Sequence, residues 1–366
     1  MRPTTPAAPP LRLAFVGCGK IAGNYAGSVL RCPEWFTIVG AFDLVPERAQ
    51  AFCARHGGRP FQALDDLVDA DDVEVVVNLT IHDAHAEVSR RALEAGKHVH
   101  TEKPLATNRE DARRLVALAD EAGLLLACAP YIMLGGPQQT LWKLVRDGMI
   151  GRPLEAVGHA MYGGIERRNP SAEAFLSAGP MFDVGCYPLS LLTTIFGPVR
   201  RIIGASADVL IPQRTLAVGP RQGATITLTA PDHVTALLEF ANGLVARLTA
   251  SFTVSAPWLP RIEIHGSEGA LSLASRPSDG GPLQLWPAGG RQWQTVPSIG
   301  DPSPAQGASR GLLDVYEALR YDQPLHYTGQ QGYHIVDVCL SALECATEGR
   351  PQDVHTTFVP PPPLPV

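Results

Sequence analysis

Nowhere in the 366 residues do eighteen apolar residues run together, so no segment has the length and character of a membrane-spanning helix. Positive charge is not in excess. Thirty Lys and Arg stand against 36 Asp and Glu, a formal net charge of −6, and no basic cluster marks a face for nucleic acid. Neither a nucleic-acid nor a membrane partner is expected. Cysteine is sparse: Cys18, Cys32, Cys53, Cys128, Cys186, Cys339 and Cys345 are scattered, odd in number, and form no Cys-x-x-Cys or Cys/His zinc spacing. They are expected to be reduced thiols, most of them small buried apolar groups. No Gly-x-Ser-x-Gly elbow and no P-loop pattern occurs, which removes serine hydrolysis and P-loop phosphoryl transfer. Charged residues are held to 18% while apolar ones reach 45%, the balance of a compact globular protein of about two domains. The first ten residues hold no apolar stretch before Leu11, so they are not expected to be a signal peptide, and the expected location is the cytoplasm.

What is present changes pattern near residue 130. From Leu11, short apolar runs alternate with helical ones: LRLAFVG, a helix over 20–31, FTIVGAF, a helix over 46–56 opening on Pro46 and Glu47, and then VEVVVNLT. A helix over 84–95 stopped at Gly96, the run KHVHTEK, a helix over 108–122 stopped at Gly123, and LLLACA follow. Strands alternating with helices of this length predict βαβ units and a doubly wound parallel sheet. The near-continuous valines of VEVVVNLT fit a strand covered on both faces. Beyond residue 130, helices over 138–147 and 181–196 flank a strand over 154–162. Strand-like segments then succeed one another at 200–210, 224–229, 234–240, 244–252, 261–265 and 270–273, with Asn242-Gly243 as a hairpin turn. This predicts an α+β domain on a large, mostly antiparallel open sheet, closed by helices over 312–321 and 329–348. The expected division is a tail over 1–10, a Rossmann domain over 11–130, an α+β domain over 131–355 and a Pro-rich tail over 356–366. Neither tail is expected to bury enough surface to order itself.

The first strand runs into Gly17-Cys18-Gly19-Lys20-Ile21-Ala22, a G-x-G-x-x-G/A pattern between a strand and a helix. Gly17 allows a tight turn, Gly19 lets the backbone approach a pyrophosphate, and Ala22 permits close helix–strand packing. Lys20 and Ile21 open the helix, whose free N–H groups and positive dipole end favour an anion. Asp43 ends the second strand, 26 positions past Gly17. A carboxylate there accepts bonds from ribose hydroxyls and repels a 2′-phosphate, which points to NAD. Arg48, one turn into the next helix, can still meet a phosphate, so NADP stays open.

Past the fifth strand the context AGKHVHTEKPLA carries Glu102-Lys103-Pro104. Together with the glycine loop, this resembles the Gfo/Idh/MocA family of oxidoreductases, which includes glucose–fructose oxidoreductase, inositol dehydrogenase and dimeric dihydrodiol dehydrogenase. The resemblance runs from Leu11 to about Glu348. It also rests on Asn78-Leu79-Thr80 with His82 and His85, on Arg146-Asp147-Gly148-Met149-Ile150-Gly151, and on Phe182-Asp183-Val184-Gly185-Cys186-Tyr187-Pro188. It implies a nicotinamide-dependent dehydrogenase or reductase acting on CH–OH groups of a sugar, inositol or diol, and a homodimer or homotetramer. It also implies that Leu79, Thr80, His82, His85, Glu102 and Lys103 line the cofactor, with Lys103 beside the reacting carbon and Pro104 in a cis turn. The chemistry agrees, because hydride transfer at a carbinol carbon needs a partner for the hydroxyl proton and for developing oxyanion charge. An ammonium in a cleft can be both.

Much of the family carries Asp and, four residues on, His in the second-domain helix; here the pair is Asp183 and Tyr187. One helical turn brings both to one face. A phenol can donate a proton to a carbonyl or accept one where a cation assists, and Lys103 is the candidate cation. Relatives often place Arg or Asn after the last Rossmann strand, whereas Tyr131-Ile132-Met133-Leu134-Gly135-Gly136-Pro137 is uncharged. Substrate contacts are therefore sought at Tyr162 and Arg167, with Arg168 and His159 as further candidates. The spacings of His82, His85, His98 and His100 suggest a metal at first sight. In a Rossmann crevice they are read as lining the cofactor or capping helices, and no metal is expected. A non-catalytic dinucleotide- or sugar-binding sensor of the same fold, or an oxidoreductase that never releases its cofactor, remains the alternative.

Overall fold

The computed structural model describes residues 6–255, 261–273, 282–298 and 307–364. The chain forms two compact units: Met1–Leu134 with Asp301–Tyr333, and Gly135–Gly300 with His334–Leu364.

In the first unit, strands β1 (Leu11–Val16), β2 (Phe36–Phe42), β3 (Arg59–Pro60), β4 (Val75–Asn78), β5 (His98–Thr101) and β6 (Leu126–Cys128) alternate with helices. These are α1 (Lys20–Val29), α2 (Pro46–His56), α3 (Leu64–Val68), α4 (His85–Glu94) and α5 (Arg109–Ala122). The six strands lie in the order β3-β2-β1-β4-β5-β6, every pair parallel. The valines of β4 are fully buried, as a strand covered on both faces requires. Helix ends follow local chemistry. Asn108 caps α5 by accepting the Asp111 N–H at 2.9 Å, and Gly123 ends it with φ +64°. The strand order reverses between β1 and β4, where ligands of doubly wound sheets bind.

The sequence reading ends this unit at residue 130, but the helix Ala308–Tyr321 returns to it. The reason is an aromatic seam. The Tyr316 ring meets Trp35 at 5.0 Å and Phe36 at 6.5 Å, and the Ser309 N–H donates to Ser28 Oγ at 2.9 Å. The described parts of both tails also depart from expectation, residues 1–5, 365 and 366 lying outside the described residues. Ala7 N–H donates to Tyr321 Oη at 2.9 Å, and Leu364 N–H donates to the Gln139 side chain at 3.0 Å. A few side-chain bonds thus hold segments too polar and Pro-rich to pack by themselves.

The second unit carries helix α6 (Gly136–Arg146), strand β7 (Pro153–Met161), helix α7 (Ala172–Pro180), a π-helical turn (Met181–Gly185) and helix α8 (Cys186–Phe196). Strands β8 (Val199–Asp208), β9 (Gln213–Thr215), β10 (Thr225–Thr227), β11 (His233–Phe240), β12 (Val245–Ser251), β13 (Ile262–Gly266), β14 (Gly269–Leu273), β15 (Leu283–Pro287), β16 (Gln294–Val296) and β17 (Gln352–Asp353) follow. Nine strands form one open sheet, β16-β15-β14-β13-β7-β12-β11-β8-β17, antiparallel throughout except where β7 meets β12. Along β11, Val234, Ala236, Leu238 and Phe240 are fully buried and alternate with half-buried residues, so the sheet is packed on one face. Two expectations change. The strand expected at 224–229 shrinks to β10 and pairs with β9 outside the main sheet. The single helix expected over 181–196 is preceded by α7 and opens as a π-turn, because Gly179 (φ +78°) and Pro180 break the helical path.

The β9–β10 pair is anchored by a buried cation. Arg214 donates to Asp232 at 2.7 Å and Glu166 at 3.4 Å, all three nearly inaccessible to solvent. Asp232 also accepts the N–H groups of Leu210 and Ile211. Replacing Arg214 takes the buried counter-ion from Asp232 and leaves Glu166 only the exposed Arg167, 3.5 Å away. Arg214→Met is expected to cost about 3–5 kcal/mol of stability, read as a loss of midpoint in urea denaturation.

Candidate functional site: the dinucleotide edge and the Glu102–Lys103–Pro104 turn

The loop after β1 runs hard against the end of β4. Gly17 adopts φ +90°, and a Cβ placed on it would lie 2.8 Å from the Leu79 carbonyl oxygen and 3.0 Å from the Thr80 nitrogen. Only glycine fits. A Cβ on Gly19 would instead meet open space. Gly19 is also the N-cap of α1 and offers no side chain to its first N–H groups; Ala22 N–H turns back to the Gly19 carbonyl at 3.1 Å, and the terminus before it favours an anion. Lys20 and Ile21 are exposed beside it. Asp43 is fixed at the end of β2: one carboxylate oxygen accepts Cys18 N–H at 2.8 Å and the other Val45 N–H at 2.9 Å. Each oxygen keeps a lone pair for a ribose hydroxyl. The Arg48 guanidinium lies 4.0 Å from Asp43 and is mostly exposed. Burial, followed by the Asp43 charge, pushes the Cys18 thiol up to about 12, so it stays protonated and inert. Leu44, Ile21 and Ile81 are exposed apolar side chains at these strand and helix ends. The sequence reading passes over Leu44 and Ile81 because single apolar residues in loops carry no pattern. These residues fit a dinucleotide: a cradle that a methyl group would fill, an open helix terminus and a fixed carboxylate.

From this edge a buried chain of bonds reaches the Lys103 turn. Asn78 accepts the Thr80 hydroxyl at 2.7 Å, and its amide donates to the His85 carbonyl at 2.9 Å and to Ser89 Oγ at 3.0 Å. The His85 ring faces the Pro104 carbonyl through Nδ1 at 2.7 Å and the Thr80 carbonyl through Nε2 at 3.2 Å. Burial holds His85 below the ordinary imidazole range. His85 is thus buried at 1% exposure and positions the turn through backbone oxygens, and Leu79 offers this edge its carbonyl, since its side chain is buried. His82 is nearly buried, 6.0 Å from His85. The Lys103–Pro104 peptide is cis. Lys103 itself is 8% exposed, and its N–H donates to Glu102 Oε2 at 3.3 Å. The other oxygen of Glu102 accepts the Tyr25 hydroxyl at 2.8 Å.

In the second unit, Asp183 is buried in the π-turn and Tyr187, half-buried, is the second residue of α8. The Arg261 guanidinium sits 5.9 Å from the Tyr187 ring. The turn is pressed onto the sheet, for a Cβ on Gly185 would lie 3.2 Å from Ala250 of β12. Of the weaker candidates, Tyr162 is half-buried beneath the Arg168 guanidinium at 4.9 Å, and Arg167 is largely exposed with its Nε 3.5 Å from Glu166.

Residues 11–129 match the model of an oxidoreductase family with an NAD-binding Rossmann fold, and residues 138–272 match the GFO/IDH/MocA C-terminal domain. The chain belongs to the Gfo/Idh/MocA family. It is 31% identical to dTDP-3,4-didehydro-2,6-dideoxy-alpha-D-glucose 3-reductase of Actinomadura kijaniata over 71% of this chain and 81% of that one. It is 25% identical to 1,5-anhydro-D-fructose reductase of Ensifer adhaerens over 94% and 99%. Among solved structures, levoglucosan dehydrogenase in complex with NADH and L-sorbose has the same fold, with a TM-score of 0.82 at 21% identity over 94% and 99% of the two chains. As a member of this family the chain is an NAD(P)-dependent oxidoreductase with a dinucleotide-binding Rossmann domain.

Sequence reasoning does not find the partners of Glu102. Tyr25, Tyr131 and Tyr327 surround His100, which the sequence reading places against the cofactor or at a helix cap. The ring is instead wholly buried, because three phenols enclose it. No spacing could have shown this, since the four residues come from distant segments. Gly17→Ala tests the dinucleotide edge. The added methyl must displace the Leu79 carbonyl, so dinucleotide affinity should fall by about tenfold or more, measured by calorimetric titration, while far-UV circular dichroism stays unchanged.

Proposed function

We propose that this oxidoreductase moves a hydride between C4 of a nicotinamide, NAD in preference to NADP, and a secondary alcohol or hemiacetal carbon of a sugar, inositol or diol. The observation that carries the reading is Lys103, a nearly buried lysine on a turn fixed through Glu102 and His85. The names of the sugar reductases it resembles support the substrate class. Bound nicotinamide supplies the hydride acceptor in one direction and the donor in the other. Lys103 orients and polarises the substrate oxygen and stabilises charge that develops on it as the C–H bond breaks. Tyr187 relays the hydroxyl proton, and Asp183 positions the substrate or the phenol. Asp43 carries the preference for NAD, since a fixed carboxylate accepts ribose hydroxyls and repels a 2′-phosphate.

Two variants test the assignment. Lys103→Met is expected to keep NAD affinity and to lose turnover by about 10²–10⁴-fold, the usual share of positioned acid–base chemistry. Turnover is followed at the reduced-nicotinamide band across a panel of sugars, inositols and diols; unchanged turnover would remove Lys103 from the mechanism. Asp43→Ser should shift the ratio of NAD to NADP affinity toward NADP by about tenfold or more, read by tryptophan quenching. An unchanged ratio would place cofactor choice elsewhere.

A further inference from the structure

Beneath the Glu102–Lys103–Pro104 turn lies a buried polar chain for which the proposed reaction has no use. His100 of β5 has no solvent exposure. Its Nε2 lies 3.0 Å from the Tyr25 hydroxyl and its Nδ1 3.0 Å from the Tyr327 hydroxyl. Tyr25 reaches on to Glu102 Oε1 at 2.8 Å, and Tyr327 to the Gly311 carbonyl at 2.7 Å. The ring of Tyr131 closes the cluster, 6.3 Å from both Tyr25 and His100 and 6.0 Å from Tyr327. The run is therefore Gly311 carbonyl, Tyr327, His100, Tyr25, Glu102, held within one unit of the fold.

Counting protons along it is instructive. Four contacts need four protons, and the Gly311 carbonyl can give none. Each phenol supplies one, and a neutral imidazole supplies one. With an ionised Glu102 that makes three, and one contact would set two lone pairs face to face in a run buried except at its Glu102 end, which is costly. Two arrangements supply the fourth proton. In one, an imidazolium donates through both nitrogens, and Tyr25 donates to the Glu102 carboxylate. In the other, a protonated Glu102 donates to Tyr25, Tyr25 donates to Nε2, and a neutral His100 donates through Nδ1. They interconvert by two short transfers, Nε2 to Tyr25 and Tyr25 to Glu102, with no atom or charge leaving the chain. Nδ1 carries a proton in both.

We infer that Tyr25, His100 and Tyr327 form a buried proton relay that ends on Glu102 and sets its charge beside Lys103. Tyr25 and His100 are then positioning residues for the turn; their relevance to turnover rests on the function proposed above, whereas the relay itself does not. Burial pushes His100 down to about 3 and the Tyr25 and Tyr327 phenols well above their ordinary range. This keeps the phenols protonated and the His100 ring neutral. The other titratable groups facing the relay are the Tyr131 phenol, which meets the Tyr25 hydroxyl, Lys103 and His85 near Glu102, Arg310 near Tyr131, and Asp314 and Cys128 near Tyr327.

The test is nitrogen NMR of the full-length protein with labelled histidine, His100 being assigned by the signal lost in His100→Gln. The expected spectrum shows a protonated Nδ1, with Nε2 accepting, that does not titrate between pH 5 and 8. A neutral ring protonated on Nε2 alone would overturn the relay, because Nδ1 would then need a proton that Tyr327 has already given to Gly311. In Tyr25→Phe, which keeps the ring and removes the link, the His100 signals should move. The pH profile of kcat should also shift, by about one unit on at least one limb, with dinucleotide affinity held within about threefold. Unmoved His100 signals in that variant would likewise reject the relay. Moved signals with an unshifted profile would reject its influence on Glu102. A Lys103→Met enzyme with full turnover would defeat the proposed reaction while leaving the NMR outcome standing.

Discussion

The approach of the loop after β1 to the end of β4 is the constraint on which the first unit's chemistry depends. At Gly17 the two backbones are so close that one methylene does not fit. Because the gap is closed, Leu79 N–H can reach the Val16 carbonyl at 2.8 Å, and Thr80 lies where Asn78 can hold it. Asn78 in turn fixes the start of α4, whose first residue, His85, holds the Pro104 carbonyl. A contact that looks like a requirement of cofactor binding is therefore also what determines where Lys103 stands. A residue with a side chain at position 17 would disturb both functions together.

Several buried polar groups are paired through short bonds, and each of these pairings fixes a geometry. Glu102 is held from two sides, by Tyr25 and by the Lys103 N–H. Asp314 accepts both the His326 N–H and its ring at 2.8 and 2.7 Å. Arg214 joins Glu166 and Asp232. Buried charge arranged this way adds little net stability over an apolar core of the same shape, but removing one partner is expensive. Such pairs act as fasteners: the Arg214 cluster secures the β9–β10 pair, and the Asp314–His326 pair secures the segment that delivers Tyr327 to His100.

The first unit was legible because its signals are local. The valines of β4, the helix stopped at Gly123 and the glycine loop each lie in one short stretch, and each forms the element expected. Asn242-Gly243 likewise turns β11 into β12, with Gly243 at φ +85°. What escaped reading depends on contacts between remote segments. Nothing in residues 308–321 says that their apolar stripe belongs on Trp35 and Phe36 rather than on the adjacent sheet. Nothing in Thr225–Thr227 says that it pairs with β9 alone. The residues around Glu102 were illegible for the same reason, Tyr25 and Tyr327 being brought to His100 by the packing of α1 and of the chain after residue 307.

The π-turn around Asp183 owes its path to backbone fit. Its shape comes from its surroundings: Gly179 turns the chain with a positive φ, and Gly185 lets the turn settle on β12, where Gly158 of β7 in turn receives Pro188. Wide turns of this kind recur at functional sites because they aim a side chain where a regular helix would not. None of these packing contacts involves the side chain at position 187. They set the path of the turn from the backbone and from small side chains, whichever ring position 187 carries. The glycines of this turn therefore report on the fold, which does not by itself fix the chemistry of the side chains it carries.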